Sequence, residues 1–426
     1  MTENKQTVSL EKQTFHLVVG PASFRLVEGG PVEVIGKALT TKETTRVPEG
    51  KKMPLEVKGA AKIELSLDGA GKIEPLEART IPASWDKIVD EIIKRKAKLI
   101  SILGDVDVGK TFFSTYLSNR LLANGRKAAV LDADIGQSDV GPPGTLGLAM
   151  LHEPVLFLSQ AVPSDIYYVG AHSPNLHFLQ TMSGTKRLIE RAFQRGADHL
   201  IWNTPGWVAG DGGRDLRKSE LEMMWPDAVI LMQRKGEVEH LVRTFPHDRV
   251  IRLEVSKQAS PTSADVRRKL REAISVDYFK NRRLLVLPFD QIKTDRAFIL
   301  TGQQVETKDV RTLYAERLPL WEGLQVVVKE PLTAADVDKL KKEHNVFRVK
   351  QVLAGSEKGA EVGLCDDNLD CLALGIVQRI DLEGKYIECW TPLPVGKEDK
   401  VKVVQFGSLR LAFDGREAGF VEPGYL

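Results

Sequence analysis

Two glycines, a lysine and a threonine stand at fixed spacing in the segment Gly104-Asp-Val-Asp-Val-Gly-Lys-Thr111. Glycine lets the backbone approach an anion closely, and successive loop amides can converge on phosphate oxygens. In such a loop Lys110 bridges the terminal phosphates of a nucleotide, and the Thr111 hydroxyl binds Mg²⁺. We therefore predict a nucleotide-binding run formed by Gly104, Asp105, Val106, Asp107, Val108, Gly109, Lys110, Thr111 and Phe112.

Two carboxylates, Asp132 and Asp134, stand at the end of the next apolar run, which begins at Ala128. Because side chains alternate along a strand, a strand that continues through Asp134 would present both carboxylates on one face. Carboxylates beside a nucleotide can bind a metal ion or accept the proton of an attacking hydroxyl. We predict both as metal ligands, with capping of the next segment as the alternative for one of them. Gln137, on the loop that follows, is predicted to face the phosphates.

A third polar strand end is Asn203-Thr204-Pro-Gly206-Trp207. In a switch GTPase, an acidic residue of a D-x-x-G motif would hold the γ-phosphate at such a position. Asn203 and Thr204 replace that acid here, which argues against the GTPase layout. Trp207 can stack on a nucleic-acid base, a contact worth ~1–3 kcal/mol, or pack beneath its own loop. The sequence leaves both interpretations open.

A local excess of basic residues follows later in the chain, where residues 267–283 carry seven Lys/Arg against two Asp/Glu. We predict a lid helix near residues 262–280, with Thr262 at its capping position. Arg267 and Arg271 are four residues apart and share one face of that helix. The face is either a solvated surface or a lid that presents arginines to a transferring phosphate.

The elements that must position these residues follow from the pattern along the chain. Strand-like runs broken by Gly and Pro come first, apolar runs then alternate with helical segments, and β-type runs return from about Leu284. Apolar strands that alternate with helices indicate a parallel, doubly wound sheet. The predicted parallel strands are Lys98–Leu103, Ala128–Asp132, Val155–Gln160, His199–Asn203, Ala228–Met232 and Val250–Val255.

We therefore predict an α/β fold with three domains. Residues 1–80 form a β-sandwich or barrel, residues 81–283 form the doubly wound P-loop domain with the lid helix, and residues 284–426 form a β-rich C-terminal domain. A chain of this length is expected to hold about two to four domains.

The composition of the 426-residue chain narrows the functional class. The net charge is +2, so any basic patch that binds nucleic acid must be local. The polar N-terminus and the lack of a run of roughly 18 apolar residues predict neither a signal peptide nor a membrane span. We expect a cytoplasmic protein, with a nuclear location as the alternative. Three cysteines without CxxC spacing predict buried thiols instead of zinc ligands or disulfides.

Taken together and in this order, the four motifs resemble the polynucleotide 5′-hydroxyl kinases of the RNA-processing cleavage-factor family. The resemblance covers the chain from about Phe15 to Phe279. It implies a β N-terminal domain, a central P-loop kinase domain and a β-rich C-terminal domain. The matching segments are Gly104–Thr111, Asp134-Ile-Gly-Gln137 with Pro143-Gly144 after it, Thr204-Pro-Gly-Trp207, and Arg267-Arg268-x-x-Arg271 followed by Tyr278-Phe279.

The resemblance implies that ATP with Mg²⁺ phosphorylates the 5′-hydroxyl end of RNA, and often of DNA. Asp134 takes the place of the general base on that hydroxyl, and Asp132 assists with the metal. The residues that the resemblance assigns to catalysis are Lys110, Asp134, Arg267 and Arg271. Those that it assigns to the substrate are Gln137, Thr204, Gly206 and Trp207.

Two other functional classes remain open at this point. One is an ATP-loaded, non-catalytic scaffold subunit of an RNA-processing complex, which would bind ATP without turnover in the presence of 5′-hydroxyl RNA. The other is a P-loop ATPase of the partitioning or metal-delivery type, which also uses a strand-end D-x-D and would hydrolyse ATP without a polynucleotide. Neither protein partners nor the residues that read adenine are predicted from the sequence.

Overall fold

The computed structural model of the protein describes residues 4–256, 259 and 263–426. The chain forms two compact units, one from 1–134, 148–163 and 189–262, and the other from 135–147, 164–188 and 263–426. The predicted α/β class is confirmed, because parallel strands with helices occupy the middle of the sequence and further β-sheets precede and follow them. The three predicted domain ranges stay predictions.

Short strands begin the first unit, and they form two antiparallel sheets, the arrangement of a sandwich. They are β1 (Asn4–Leu10), β2 (Thr14–Val19), β3 (Ala22–Gly29), β4 (Val32–Val34), β5 (Lys37–Ala38), β6 (Thr44–Val47), β7 (Lys52–Val57), β8 (Ala61–Leu67) and β9 (Lys72–Leu76). The strand orders are β1-β8-β3-β6 and β5-β4-β7-β2-β9. Apolar residues alternate along β8, and this alternation places Ala61, Ile63 and Leu65 on the face of the strand that is buried.

Helices and strands then alternate along the chain. They are α1 (Ala83–Arg95), β10 (Leu99–Gly104), α2 (Lys110–Ala123), β11 (Ala128–Asp132), β12 (Thr145–Leu151), β13 (Asp165–Tyr168), α3 (Phe178–Gln194), β14 (His199–Asn203), α4 (Gly210–Met224), β15 (Ala228–Met232), α5 (Glu239–Val242) and β16 (Val250–Leu253). Within the first unit, five of these strands are parallel neighbours in the order β11-β14-β10-β15-β16. Every residue of the central strand β10 is buried, which explains its continuous apolar run.

One predicted strand, Val155–Gln160, is wrong. The segment ends in a short 3₁₀ turn, Leu158–Gln160. Side chains satisfy its backbone groups in place of a strand partner, because Gln160 Oε1 accepts from the Leu156 amide at 2.9 Å. The sequence also left β12 unpredicted, although β12 follows the rigid Gly-Pro-Pro-Gly turn directly.

The second unit contains the predicted lid helix and the C-terminal β-structure. Its elements from residue 263 onward are α6 (Ala264–Tyr278), β17 (Arg283–Pro288), β18 (Lys293–Asp295), β19 (Gln303–Gln304), β20 (Thr312–Leu318), β21 (Gly323–Val328), α7 (Ala334–His344), β22 (Arg348–Leu353), β23 (Ala360–Cys365), β24 (Cys371–Asp381), β25 (Tyr386–Thr391), β26 (Val403–Leu411) and β27 (Glu417–Phe420). One sheet has the order β17-β25-β24-β23-β26-β18, with β27 paired to β26, and the other has the order β19-β20-β21-β22.

The C-terminal end of α6 is fixed to this β-structure. Phe279 is 1% exposed and packs in a cluster with residues of β24 and β26. The Leu374 amide donates to the Tyr278 hydroxyl at 2.9 Å, and the Ser275 hydroxyl donates to the Gly415 carbonyl at 2.6 Å. The Tyr278-Phe279 pair of the sequence motif is therefore an anchor for the helix.

Two expectations from composition concern membranes and cysteines. In the part of the chain that the structure describes, no helix is both long and apolar enough to cross a bilayer. Cys365 and Cys389 are buried and Cys371 is half-buried, and all three are free thiols.

Asn119, on α2, links three distant segments of the first unit through one buried side chain. Its Nδ2 donates to the Ile35 carbonyl at 2.8 Å and to the Val155 carbonyl at 2.7 Å, and its Oδ1 accepts from the Val155 amide at 2.9 Å. The side chain is 0% exposed. These bonds connect the N-terminal β-structure with the helix that follows the phosphate loop.

We expect Asn119→Ala to lower the free energy of unfolding by roughly 2–5 kcal/mol, because three buried hydrogen bonds to backbone groups are lost. Urea denaturation of the full chain measures the change. The matched control is Asn124→Ala, at the exposed C-terminal end of the same helix, where the lost bond to Arg120 is solvent-accessible. Equal losses in the two variants would contradict the linking role of Asn119.

Candidate active site

The glycine-rich loop joins β10 to α2 and is closed by its own lysine. Gly109 has a φ of 92°, in the left-handed region that favours glycine, and it precedes the first residue of α2. The Lys110 ammonium donates to the Asp105 carbonyl at 2.8 Å. The positive N-terminal end of α2 points at the loop. Loop amides, ammonium and helix terminus therefore form one anion-binding arrangement.

The charge of Lys110 is buried, since the residue is only 8% exposed. Burial lowers the pKa of its ammonium to about 8, and the carboxylates of Asp134, Asp105 and Asp107 oppose that shift. Asp134 has the largest of the three opposing effects. Its carboxylate therefore lies near enough to favour the charged form of the lysine that is predicted to bind the terminal phosphates.

Asn203 holds together two of the three predicted metal ligands, Thr111 and Asp132. Its Nδ2 donates to the Thr111 hydroxyl at 3.2 Å and to Asp132 Oδ1 at 3.1 Å. The pairing of β11 with β14 places Asp132 opposite Asn203 in register. Hydroxyl and carboxylate oxygens of this kind are the ligands that small divalent cations prefer. The donor set around Asn203 therefore fits Mg²⁺.

The arrangement of Asp132 and Asp134 differs from the one that strand alternation predicts. Strand β11 ends at Asp132, and the Asp134 amide donates back to Asp132 Oδ1 at 3.3 Å. The predicted strand Ala128–Asp132 is confirmed, but strand alternation does not extend to Asp134, because the regular strand ends at Asp132. Asp132 is buried and Asp134 is half-buried, so Asp134 is the more accessible carboxylate.

The Thr204–Trp207 turn packs directly on the phosphate loop. The Thr204 hydroxyl is buried and donates to the Ile102 carbonyl of β10 at 2.6 Å. A Cβ on Gly206 would lie 2.8 Å from the backbone nitrogen of Val106, so only glycine fits there. The Trp207 ring is half-buried and lies beside Gly213 of α4. Trp207 is therefore only partly covered by its surroundings.

A buried ion pair on α4 stands close to these charges. Arg217 is 1% exposed and Glu220 is 0% exposed, with Arg217 Nη1 2.6 Å from Glu220 Oε2. Burial lowers the pKa of Arg217 and raises the pKa of Glu220 to about 7, and each charge partly offsets the shift of the other. The Asp134 carboxylate also favours the charged form of Arg217. The site therefore contains a second buried cation.

A cavity of about 140 Å³ opens beside the loop. Its walls are mainly apolar, and it lies between the N-terminal β-structure and the start of α2. Trp85 is an edge-on neighbour of Phe112, with ring centroids 5.9 Å apart, and its indole donates to the Glu254 carbonyl at 3.0 Å. The lining residues are Leu17, Lys52, Pro54, Thr80, Trp85, Gly109, Phe112, Ser256 and Ala259.

The remaining predicted site residues belong to the second unit. Helix α6 begins at Ala264, and the Ser263 hydroxyl caps it by accepting from the Val266 amide, while the predicted cap Thr262 lies outside the described residues. Arg271 donates to the Gly136 carbonyl at 3.2 Å and also to Glu417 of β27. The Arg271 side chain therefore joins the D-x-G-Q loop to the last strand. Gln137 itself is exposed.

Helix α6 buries its basic face more than its apolar face, which is the reverse of an ordinary amphipathic surface helix. The arginine face, with Arg267 and Arg271, is half-buried. The apolar residues Val266, Leu270 and Ile274 are 46%, 44% and 38% exposed. A surface helix normally buries its apolar stripe, so specific polar contacts determine the orientation of α6.

Comparison with known proteins connects these motifs to a family. The family model described as "mRNA cleavage and polyadenylation factor CLP1 P-loop" matches residues 104–281. A polyribonucleotide 5′-hydroxyl-kinase of Pyrococcus furiosus is 30% identical over 333 residues, which are 78% of this chain and 92% of that protein. The chain belongs to the polyribonucleotide 5′-hydroxyl-kinase family.

A second kinase of this family, from Methanocaldococcus jannaschii, is 29% identical over 332 residues, which cover 77% of this chain and 91% of the relative. Among solved structures, the wild-type Clp1p–Pcf11p complex matches with a TM-score of 0.64 over 96% of this chain and 98% of that chain, at 12% identity. That likeness shows a shared fold. The resemblance to the cleavage-factor kinases that the four motifs indicated is confirmed.

Three side chains of the site in this member of the kinase family were not predicted from the motifs. Asn203 joins Thr111 to Asp132, and Arg217 brings a buried positive charge. The Arg234 guanidinium donates to the Asp107 carbonyl of the phosphate loop at 3.0 Å. Only Asn203 had a signal in the sequence, since it stands at the carboxyl end of a predicted parallel strand.

Proposed function

We propose that the protein is an ATP-dependent polynucleotide kinase that transfers the γ-phosphate of ATP to the 5′-hydroxyl end of RNA, with DNA as a second acceptor. The observation that carries the proposal is the position of the Asp134 carboxylate within Coulombic reach of Lys110. A lysine for the terminal phosphates and a carboxylate for the acceptor hydroxyl then stand together. Membership in the kinase family supports the same reaction.

The reaction needs a proton acceptor beside the attacking oxygen. The 5′-hydroxyl oxygen forms the new bond to the γ-phosphorus, the bond from that phosphorus to the bridging oxygen of ADP breaks, and the hydroxyl proton passes to Asp134. Asp134 suits this task better than Asp132, because Asp132 is buried and accepts from Asn203. General-base catalysis of this kind contributes about 10²–10⁴ in rate.

Thr111 and Asp132 would hold Mg²⁺, and Asp134 is the third ligand that the sequence predicts. A bound Mg²⁺ supplies neutralisation of the negative charge on the phosphates. The protein's own part is to orient the ligand oxygens, and Asn203 does so through its two hydrogen bonds. Lys110 then contributes its charge to the β- and γ-phosphates.

The acceptor is assigned to residues from two motifs and the lid. Gln137, Thr204, Gly206 and Trp207 would contact the substrate end. The Thr204 hydroxyl donates to the Ile102 carbonyl. Thr204 would therefore contact the substrate through the backbone of its turn and not through its hydroxyl. Trp207, which is half-buried, is assigned to stacking on a base. Arg267 and Arg271 would stabilise charge on the transferred phosphate.

The adenine base is assigned to the cavity beside Phe112. An apolar cavity of about 150 Å³ can hold a flat aromatic ring, and this one directly adjoins Gly109 of the phosphate loop. The aromatic side chain of Phe112 lines it together with Leu17 and Pro54. The remaining parts of the proposal are a cytoplasmic location and the RNA itself as partner.

The experiment that tests the proposal is a transfer assay with γ-labelled ATP and 5′-hydroxyl oligonucleotides of RNA and of DNA. Label on the oligonucleotide supports the kinase, and Lys110→Ala is the inactive control. ATP that binds without transfer would favour the scaffold. ATP hydrolysis at an equal rate with and without oligonucleotide would favour the partitioning-type ATPase.

Phe112→Ala is expected to raise KM for ATP about tenfold, because a desolvated aromatic contact is worth on the order of 1 kcal/mol or more. The KM for the oligonucleotide should stay unchanged. Phe347→Ala is the control, since that ring is 81% exposed elsewhere in the chain. An unchanged KM for ATP in Phe112→Ala would show that the adenine base does not bind in this cavity.

Asp134→Asn is expected to lower kcat by about 10²–10⁴, because it keeps the shape of the side chain and removes the proton acceptor. Single-turnover transfer at saturating Mg²⁺ measures the loss of chemistry apart from any loss of metal. Asp139→Asn, on the same loop, is the matched control. Full kcat at saturating Mg²⁺ would refute the assignment and direct attention to Asp132.

Arg271→Ala is expected to lower kcat more than it raises KM for the oligonucleotide, and Arg267→Ala to give a smaller, mixed effect. Arginines that stabilise transition-state charge are worth up to ~10³–10⁵ in kcat in other phosphoryl-transfer enzymes. Arginines that only hold the backbone would act on KM and on its salt dependence. A pure, salt-sensitive change of KM in both variants would make the helix an RNA-binding surface.

A further inference from the structure

A large cavity in the second unit borders Arg271, and its other lining residues have no role in the reaction described above. It measures about 720 Å³ and lies among the segment 171–176, helix α6 and strand β27. Pockets of about 300–1,000 Å³ are typical of small-molecule and cofactor sites. The cavity is therefore large enough to hold a nucleotide.

One wall of the cavity is a fixed polar network. Glu417 accepts from Arg271 and stands 3.2 Å from His172 Nδ1. Arg271 is also bound to the Gly136 carbonyl. The side chains of these three residues are 15–20% exposed, so the wall is mostly buried. Its far end reaches the D-x-G-Q loop, whose Gln137 is predicted to contact the substrate end.

The open side of the cavity combines a cation with apolar surface. Arg268 is 62% exposed and pairs with Glu272 of its own helix, at 3.3 Å. Phe420 is 54% exposed and Leu176 is 55% exposed. Isolated exposed apolar side chains are ordinary on protein surfaces, but here both line one cavity together with an exposed arginine. Cations with aromatic platforms are the elements of single-strand binding grooves.

We propose that this cavity binds a nucleotide of the RNA chain that lies beyond the first two nucleotides of the acceptor end, with its phosphate on Arg268 and its base on Phe420. The inference rests on the proposed function, because the acceptor end is assigned to the neighbouring D-x-G-Q loop. The charge of the region favours a polyanion, since residues 267–283 carry a net charge of +5. A protein segment is the competing occupant, and it would not be expected to show the length dependence described next.

The test compares oligoribonucleotide acceptors of increasing length, from a dinucleotide to a dodecanucleotide, in the full-length protein. We expect kcat/KM of the wild type to rise with length. In Arg268→Ala/Phe420→Ala the advantage of the long acceptor should fall roughly 5- to 100-fold, the range expected for loss of one stacked base. The kcat/KM for the dinucleotide should change less than twofold. The salt dependence of KM for the long acceptor should become shallower.

Two further variants make the result specific. Arg416→Ala/Phe347→Ala removes the same two residue types from exposed positions outside the cavity, and it should keep the full length dependence. Phe420→Tyr keeps an aromatic face and should also keep it. A loss in these controls equal to that in the cavity variant would overturn the proposal. So would an unchanged length dependence in the cavity variant, which would assign the cavity to a protein or another ligand.

Failure of the kinase assignment gives a different result. In that case the wild type phosphorylates no acceptor of any length. Fluorescence anisotropy of a labelled dodecaribonucleotide then tests the cavity by itself. Weaker binding in the cavity variant than in the control variant supports the site, and equal binding overturns it.

Discussion

The site is organised by the burial of positive charge at the end of the parallel sheet. Lys110 and Arg217 are both buried there, and a buried cation is costly unless anions balance it. Asp134 acts on both cations, and Glu220 pairs with Arg217. The strand ends therefore have to present carboxylates toward the phosphate loop.

The parallel sheet and the phosphate loop were predictable, because both depend on local patterns. Apolar runs between helices predicted five strands to within a residue or two at each end, and the glycine spacing located the loop. Val155–Gln160 failed as a strand since Gln160 and Asn119 satisfy its backbone groups, and no local pattern reports such partners. The relation of Asp132 to Asp134 failed for a similar reason, because strand periodicity does not indicate where a strand stops.

The rest of the site depends on contacts between residues far apart in the sequence. Asn203 meets Thr111 across 92 positions, and Arg271 meets Glu417 across 146. Neither partner choice follows from propensity or spacing. Helix α6 is the clearest example, since amphipathicity predicts burial of Val266 and Leu270, whereas the bonds of Arg271 and Ser275 turn the opposite face toward the protein.

Residue 203 is an amide and not a carboxylate, and this difference affects how the ligand oxygens are positioned. A primary amide neither gains nor loses a proton in the range where proteins are folded, and its nitrogen can only donate. The bonds from Asn203 to Thr111 and Asp132 therefore keep their direction whatever the nucleotide state. A carboxylate at position 203 would repel the Asp132 carboxylate. Strands β11 and β14 could then pair closely at this end only with a cation bound between the two carboxylates. With asparagine, the geometry of the ligand oxygens is set by the protein in advance of any ion.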